Sequence, residues 1–588
     1  MVTSENPASW RRDLLWLVLA FGLLFGFRLG SYPFSNPDEG RNAEIPREML
    51  ASGDWVTPRL DGVNYFEKPP LVYWTTAIVG KIFGLNEWSV RAVPALFALA
   101  GVLLTYAAAR RLHGRDAGLL AAIVLGTSLL WFVLGHIPIL DTAVSVLMAA
   151  ALFCFILGVQ EPPGTRRRGL FYGLYASMAL ATLTKGLIGF LVTGAVMFLW
   201  LLVFNQWKRL RPLHLPTGAV LFLLIAAPWH ILAARHNETW VHRYLIEEHI
   251  LRFFTTTASR PGPWYYFIGI ILLGLIPWTG FLWPAVRDAV RGGWAKREDN
   301  AVAWFFVTWI GFILFFFSIS KSKLPPYILP VFPALAVLIG AWLAQALREN
   351  AAAWLRGGLR VFSFLCGLLA VALCLVVMRP DLAKMDAVQA GALRGPAFAM
   401  AAALVLGGIF TPWLARLRGV RATVGGAVAT MVLFCAGLQW AAPDIQKPGT
   451  RELALYVKAH AQPGDRIFHC YDFYQDFTFY AKRFVGVVGS NVAELELKED
   501  AAARASGRFI SDTELLRQWP AAGRIYLVVQ KWKIAEVKAA YVQKLADWQK
   551  KPAAGREPAP EMPVFADPAF RYHLLAENRD YYLLSNQP

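Results

Sequence analysis

The sequence predicts an α-helical membrane protein of about thirteen spans with a smaller α/β domain at its C-terminal end. Three observations carry that prediction. The 588 residues are 56% hydrophobic and 17% charged, with a mean hydropathy of +0.42, too apolar for a soluble chain of this length. Uncharged or nearly uncharged runs recur at about twenty residues, the length that crosses a hydrocarbon core of about 30 Å as a helix. From Pro443 onward the composition turns charged and mixed, and no later run is long enough to span.

The apolar segments begin near Leu14, Ala92, Ala117, Thr142, Gly169, Gly186, Leu213, Trp264, Asn300, Tyr327, Val361, Gly395 and Ala422. The runs 264–286, 300–318 and 186–206 contain no charged residue. The first segment follows Arg11 and Arg12 but lacks a small-residue cleavage site, so it reads as an uncleaved span rather than a signal peptide. The stretch 69–80 is apolar but only about twelve residues long, which predicts an interfacial segment. Pro277, Pro284, Pro326, Pro330 and Pro333 lie in or beside spans and predict kinks, because proline lacks the N–H that helical bonding needs.

Orientation follows from the basic residues. Arg110, Arg111 and Arg115, then Arg166, Arg167 and Arg168, then Lys208, Arg209 and Arg211 fill alternate loops. Arg287, Arg291, Lys296 and Arg297, then Arg348 and Arg356, then Arg416, Arg418 and Arg421 continue the alternation. With thirteen spans these groups share one side, the cytoplasmic one, and the N-terminus joins them there. The bias accounts for much of the net charge of +18 and removes the case for a nucleic-acid partner. Four of the five cysteines fall in predicted spans, which excludes a disulfide framework.

The composition divides the chain into a membrane domain, 1–442, with a long first outer loop at 30–91, and an outer domain, 443–588. In the latter, 451–460 and 532–550 read as helices; 466–469, 484–488 and 524–530 read as strands. The runs 570–575 and 581–584 predict a hairpin across the turn at 577–580. The aromatic and acidic run Tyr471–Asp476 could touch a sugar, but a packed strand edge explains it better.

The first outer loop holds Asn36-Pro37-Asp38-Glu39-Gly40-Arg41 and Tyr65-Phe66-Glu67-Lys68-Pro69-Pro70. Charges beside a bilayer are costly and are therefore paired, solvated or functional. Cations on the outer side also run against the orientation bias. They are Arg41, Lys68, Lys185, Arg235, Arg243, Arg252, Arg260, Lys321 and Lys323. Converging cations of this kind suit a phosphate. The alternative is that they pair with local acids such as Glu238, Glu247 and Glu248. For Asp38 the structural alternative is a helix cap after Pro37, and Asp141 could likewise cap the fourth span.

The run Asn36–Glu44, the run 53–70 and Lys321-Ser322-Lys323-Leu324-Pro325-Pro326-Tyr327 resemble one known group. They are similar to the polyprenyl-phosphate-dependent glycosyltransferases of the protein O-mannosyltransferase superfamily. Within it, the chain most resembles the bacterial transferases that attach 4-amino-4-deoxy-L-arabinose to lipid A. The resemblance implies Asp38 as the catalytic acidic residue of the first outer loop and Asp141, in His136-Ile137-Pro138-Ile139-Leu140-Asp141, as the second acidic position. It implies Arg41 and Lys68 near a carrier phosphate, and Lys185, Arg252 and Tyr327 around the same cavity. Glu67 and His249 are the two ligands it offers for a divalent cation, too few for a built site, and a structural role is the alternative. The implied partners are an undecaprenyl-phosphate-linked sugar, lipid A and membrane lipids. The implied location is the bacterial inner membrane, with the site and the C-terminal domain in the periplasm. Two other readings stay open: the same chemistry with another sugar or with a protein Ser or Thr acceptor, and a transporter or lipid flippase. The clean spans, the charges gathered in loops and the lack of an internal repeat count against transport.

Overall fold

The computed structural model describes residues 9–205, 207, 213–251, 260–383, 385–446, 449–489, 495, 500–520, 523–550 and 558–588. The chain divides into two compact units. One comprises Met1–Tyr32, Glu67–Thr75 and Asn86–Ile445; the other comprises Pro33–Phe66, Thr76–Leu85 and Gln446–Pro588.

The first unit is helical and of membrane type. Among the described residues, eight helices are long and apolar enough to cross a membrane. The count reaches nine if Tyr266–Gly274 and Thr279–Ala289, bent by 107° at a short break, form one broken span. Pro277 lies in that break, so the kink expected there is a sharp one. The segments expected near Gly395 and Ala422 join in Ala387–Ile445, where Gly419 (φ 70°, ψ −155°) separates two helices. The remaining expected segments form helices that are less apolar or shorter. Ser9–Gly26 carries Arg11, Arg12 and Asp13, Thr165–Lys185 carries four cations, and Arg115–Gly126 is twelve residues long. Leu71–Phe83, at thirteen residues, is a short apolar helix, as the 69–80 stretch predicts.

Close packing of these helices rests on small residues and on tryptophans whose N–H groups are satisfied. An added Cβ on Gly340 would meet the Ala121 backbone nitrogen at 2.5 Å, and one on Gly189 would meet the Ala181 carbonyl carbon at 2.5 Å. Only glycine lets those backbones approach. Trp131, Trp200 and Trp309 are fully buried. Their Nε1 atoms donate to the carbonyls of Ala98, Ala301 and Pro330 at 3.2, 2.9 and 2.9 Å. Arg91 is also fully buried. It donates to the carbonyls of Leu29 and Tyr32 at 3.0 and 2.8 Å and lies 3.8 Å over the Tyr32 ring, tying down the chain where the first unit ends.

The second unit is built on a six-stranded sheet. Its strands are β3 (Arg466–Cys470), β4 (Gly486–Val488), β5 (Phe509–Ile510), β6 (Ile525–Gln530), β7 (His573–Glu577) and β8 (Tyr581–Ser585), in the order β5-β4-β3-β6-β8-β7. A small antiparallel pair, β1 (Arg59–Leu60) and β2 (Val63–Asn64), lies in the first-loop segment. β5, β4, β3 and β6 run parallel; β8 pairs antiparallel to both β6 and β7. The central strands read as unbroken apolar runs because both faces are covered. The helix Arg451–His460 and the hairpin β7–β8 occur where the sequence predicts them. The run from Tyr471 to Asp476 is packed, with Phe473, Tyr474 and Asp476 buried, but it is no strand edge: it leaves the inner strand β3 as a bend and enters the helix Gln475–Ala481.

Asp476 is the knot of this unit. It is fully buried and accepts from Asn36 Nδ2 at 2.5 Å, from the Thr450 N–H at 2.6 Å and from Thr450 Oγ1 at 2.8 Å. Its own N–H donates back to Asn36 Oδ1 at 3.0 Å. Three donors thus compensate a carboxylate that would otherwise be costly to bury, and they fix the residue two before Asp38.

Candidate active site

In the first unit, a cavity of about 520 Å³ is ringed at its polar end by Glu67, Lys68, Asp141, Lys185, Glu248 and Tyr327. Apart from the neighbours Glu67 and Lys68, each arrives on a different piece of chain. Lys185 is the last residue of the helix Thr165–Lys185, where the carbonyl end of the helix dipole favours a cation. Asp141 sits in the first turn of Leu140–Gln160, where an anion is favoured. Tyr327 stands in the 3₁₀ turn Pro325–Val331, whose prolines set the backbone. Glu248 lies in the π-helical segment His242–Leu251.

These groups form two ion pairs. Lys68 Nζ donates to Glu248 Oε2 at 2.9 Å and to the Glu67 carbonyl at 2.7 Å, with Glu67 Oε2 4.0 Å away. Lys185 Nζ donates to Asp141 Oδ1 at 2.5 Å and lies 4.7 Å over the Tyr327 ring. All four charged partners are largely buried. Such pairs lose much of their Coulomb gain to desolvation, so they mark a site more than they stabilise the fold. Among the described residues two lysines and three carboxylates line this head. Most of the remaining lining is apolar, including Leu187, Leu191, Val192, Phe312 and Phe316. A charged head on an apolar slot is the form an amphipathic ligand requires. Ser322 adds a buried hydroxyl at the wall with no hydrogen-bond partner among the described residues.

The cavity therefore gathers Glu67, Lys68, Asp141, Lys185 and Tyr327 from the residues singled out in the sequence. Asp141 does not cap its helix: the cap position is Ile139, without a side-chain bond, and the Asp141 carboxylate goes to Lys185. Glu248 enters as the counter-ion of Lys68, and Arg243 pairs with Glu247, so for these two cations the local-acid alternative holds. Lys323 is buried and donates to the Ser320 carbonyl; Ser320 and Ser322, rather than the lysines beside them, line the cavity. Arg252 and the His249 side chain lie outside the described residues. Among the described residues no group of three His, Cys, Asp or Glu side chains is placed to hold a metal ion, and of the Glu67 and His249 pair only the Glu67 side chain is described.

Asp38 and Arg41 lie in the second unit, on the helix Asp38–Ser52. Arg41 Nη2 donates to Asp38 Oδ1, and the Asp38 side chain remains 58% exposed. Asp38 is not a cap: Pro37 holds that position and no side-chain bond closes the helix end. Glu39 instead ties the helix to the chain before it. It is buried and reaches back to accept from the Ser35 N–H at 2.9 Å and from Ser35 Oγ at 3.1 Å. Glu39 thus frees the neighbouring Asp38 carboxylate to face solvent.

Comparisons with known proteins give the class and then the family. Residues 67–232 match the family described as dolichyl-phosphate-mannose-protein mannosyltransferase. The ArnT protein of Cupriavidus metallidurans, in a crystal structure with bound undecaprenyl phosphate, superposes with a TM-score of 0.81 at 26% identity, covering 99% of this chain and 98% of that one. Its apo form gives 0.78 at 27% identity, covering 97% of each chain. The undecaprenyl phosphate-α-4-amino-4-deoxy-L-arabinose arabinosyl transferase of Aeromonas salmonicida is 34% identical over 444 residues, 73% of this chain and 77% of that protein. Its counterpart in Edwardsiella ictaluri is 33% identical over 62% of this chain; that alignment spans 65% of the relative, and the one with the Pectobacterium carotovorum protein spans 60%. The chain belongs to the family of undecaprenyl phosphate-aminoarabinose arabinosyl transferases.

Proposed function

We propose that this protein transfers 4-amino-4-deoxy-L-arabinose from undecaprenyl phosphate to a phosphate of lipid A at the periplasmic face of the inner membrane. The observation that carries the reading is the first-unit cavity, with its Lys68 and Lys185 head and apolar walls, in a chain of this family. The donor is a zwitterion: its phosphate diester is anionic and its 4-amino group is cationic. Lys68 and Lys185 suit the phosphate, and the carboxylates of Glu67, Asp141 and Glu248 at the same head suit the ammonium.

In the reaction, an oxygen of the acceptor phosphate attacks the anomeric carbon while the bond from that carbon to the carrier phosphate breaks. Positive charge builds on the sugar ring and negative charge on the leaving phosphate. Lys68, Lys185, Arg41 and Arg252 are the cations assigned to the leaving group, and Tyr327 borders it. The acceptor is already anionic, so Asp38 has little deprotonation to do. It positions the ammonium or Arg41 and favours the cationic transition state, and a single displacement inverts the anomeric centre. About thirteen spans, a cytoplasmic N-terminus, a membrane domain at 1–442 and a periplasmic domain at 443–588 complete this reading.

The test is incubation of the purified protein with undecaprenyl-linked aminoarabinose and lipid A, followed by mass spectrometry. Lipid A gains one aminopentose per accepting phosphate. Asp38→Asn abolishes the gain while folding and donor binding persist, and Lys68→Met slows it by about 10²–10³-fold, the usual loss of one charge-stabilising donor. Transfer to a peptide hydroxyl, or movement of label across the bilayer without a covalent product, would replace this reading by one of its alternatives.

A further inference from the structure

The second unit holds its own cleft, of about 610 Å³, walled by Arg47, Glu48 and Arg59 on one side and Asp465, Arg483 and Phe484 on the other. Lys482 also borders it. The charges in this cleft are unequally matched. Arg47 is bound twice by Glu44, at 2.6 and 2.7 Å, and Arg59 is bound by Asp54 at 2.7 Å. Arg483 donates only to backbone carbonyls, those of Gln462 at 2.8 Å and Ala461 at 2.9 Å. Neither Arg483 nor the exposed Lys482 forms an ion pair among the described residues. Asp465, the half-buried acid of the cleft, accepts from the Gln462 N–H at 2.8 Å.

The second feature is an unsatisfied buried group. Glu48 is 5% exposed, and its Oε2 accepts from the Gly62 N–H at 2.9 Å. Its Oε1 has no partner among the described residues, and the residue lines the cleft. A buried carboxyl oxygen without a partner costs of order 1–3 kcal/mol unless something enters to bond it. Burial, helped by the negative charge of Glu44, pushes the Glu48 carboxyl well above its usual range, which favours its protonated form. The third feature is Phe484, 54% exposed, with the Arg508 guanidinium 5.2 Å over its ring on the protein side. An open aromatic face beside hydrogen-bonding groups suits the C–H face of a sugar ring.

We propose that this cleft binds an anionic saccharide, a sugar bearing a phosphate or carboxylate. Lys482 and Arg483 take the anion, Glu48 bonds a ring hydroxyl, and Phe484 packs on the ring. The volume fits a mono- or disaccharide. The ligand is either a free sugar phosphate or the phosphorylated headgroup of a glycolipid.

The test uses the full chain in nanodiscs, in wild-type and Lys68→Ala backgrounds so that phosphate binding in the first-unit cavity is separated. In one arm glucosamine 1-phosphate is titrated by calorimetry; in the other, nanodiscs carry a lipid-linked glucosamine disaccharide with or without its phosphate, read by tryptophan fluorescence. Binding is expected to weaken at least tenfold in Lys482→Ala and in Glu48→Ala, to persist in Glu48→Gln, and to fail for methyl glucosaminide. Lys482-dependent binding in the first arm identifies a free sugar phosphate, and in the second arm alone a lipid headgroup; either upholds the site. Equal binding of the neutral sugar or of an acidic peptide, or affinity unchanged in Lys482→Ala in both arms, overturns it.

Discussion

Lys68 and Lys185 each meet a carboxylate at hydrogen-bond distance in the cavity proposed for the carrier phosphate. A ligand phosphate must therefore replace or bridge existing bonds, and specificity comes from what the displaced acids then hold. Glu248→Gln should tighten binding of plain undecaprenyl phosphate several-fold while lowering the rate with the aminosugar donor, a split readable in competition and transfer assays. At Glu48 the effect is on stability. An unfolded chain releases this proton above about 4.5, whereas the folded one holds it to higher pH because of burial and the charges of Glu44 and Asp61, with the Gly62 N–H and Arg47 pulling the other way. The folded state thus binds more protons, and stability from this group falls as pH rises. Glu48→Gln should raise the unfolding midpoint at pH 8, and the gain should vanish near pH 4.5.

At the scale of elements, the helix Asp38–Ser52 depends on a missing side chain. A Cβ on Gly40 would lie 2.5 Å from the Asp476 nitrogen and 2.9 Å from Asn36 Oδ1. Alanine gains about 1 kcal/mol of helix propensity over glycine, but displacing a backbone and a bonded amide costs about 1–3 kcal/mol. Gly40→Ala should therefore destabilise the protein in thermal unfolding and slow transfer through Asp38. Most elements were legible because their cause is local. Arg451–His460 has a helical apolar spacing, and β3, β4, β6, β7 and β8 fall on short apolar runs between turn residues, whereas the two-residue β5 is too short to leave a pattern. Asp38, Asp141, Lys68 and Lys185 were legible as charges in places that lipid and orientation disfavour. Glu248 was legible only as one of several acids near the outer cations, and Asp476 only as part of a packed run. Each owes its role to a partner far along the chain, Lys68 or Asn36, and nothing in the spacing of either residue reveals that pairing.

For the whole molecule, the second unit is assembled from three stretches of chain, Pro33–Phe66, Thr76–Leu85 and Gln446–Pro588. Asn36 is bonded to Asp476, Asp61 to Arg508 and the Val485 N–H, and the Asn64 N–H to Asp500. A chain ending at residue 445 leaves buried first-loop groups such as Phe34, Leu60 and Asp61 without these partners. Such a truncation should lose all transfer and yield a first loop cleaved rapidly in limited proteolysis, while a separately expressed 446–588 segment should not restore it to wild-type resistance without the loop.

The same arrangement has a kinetic side. The loop bearing Asp38 is synthesised long before Gln446, and at ribosomal speeds of about 5–20 residues per second the wait is roughly twenty to eighty seconds. Throughout that interval Phe34, Tyr65 and the carboxyl of Asp61 have no completed shelter, so the newborn protein passes through a sticky, inactive adolescence. Its dependence on holding chaperones should peak during elongation and end when the final strand, Tyr581–Ser585, closes between its neighbours.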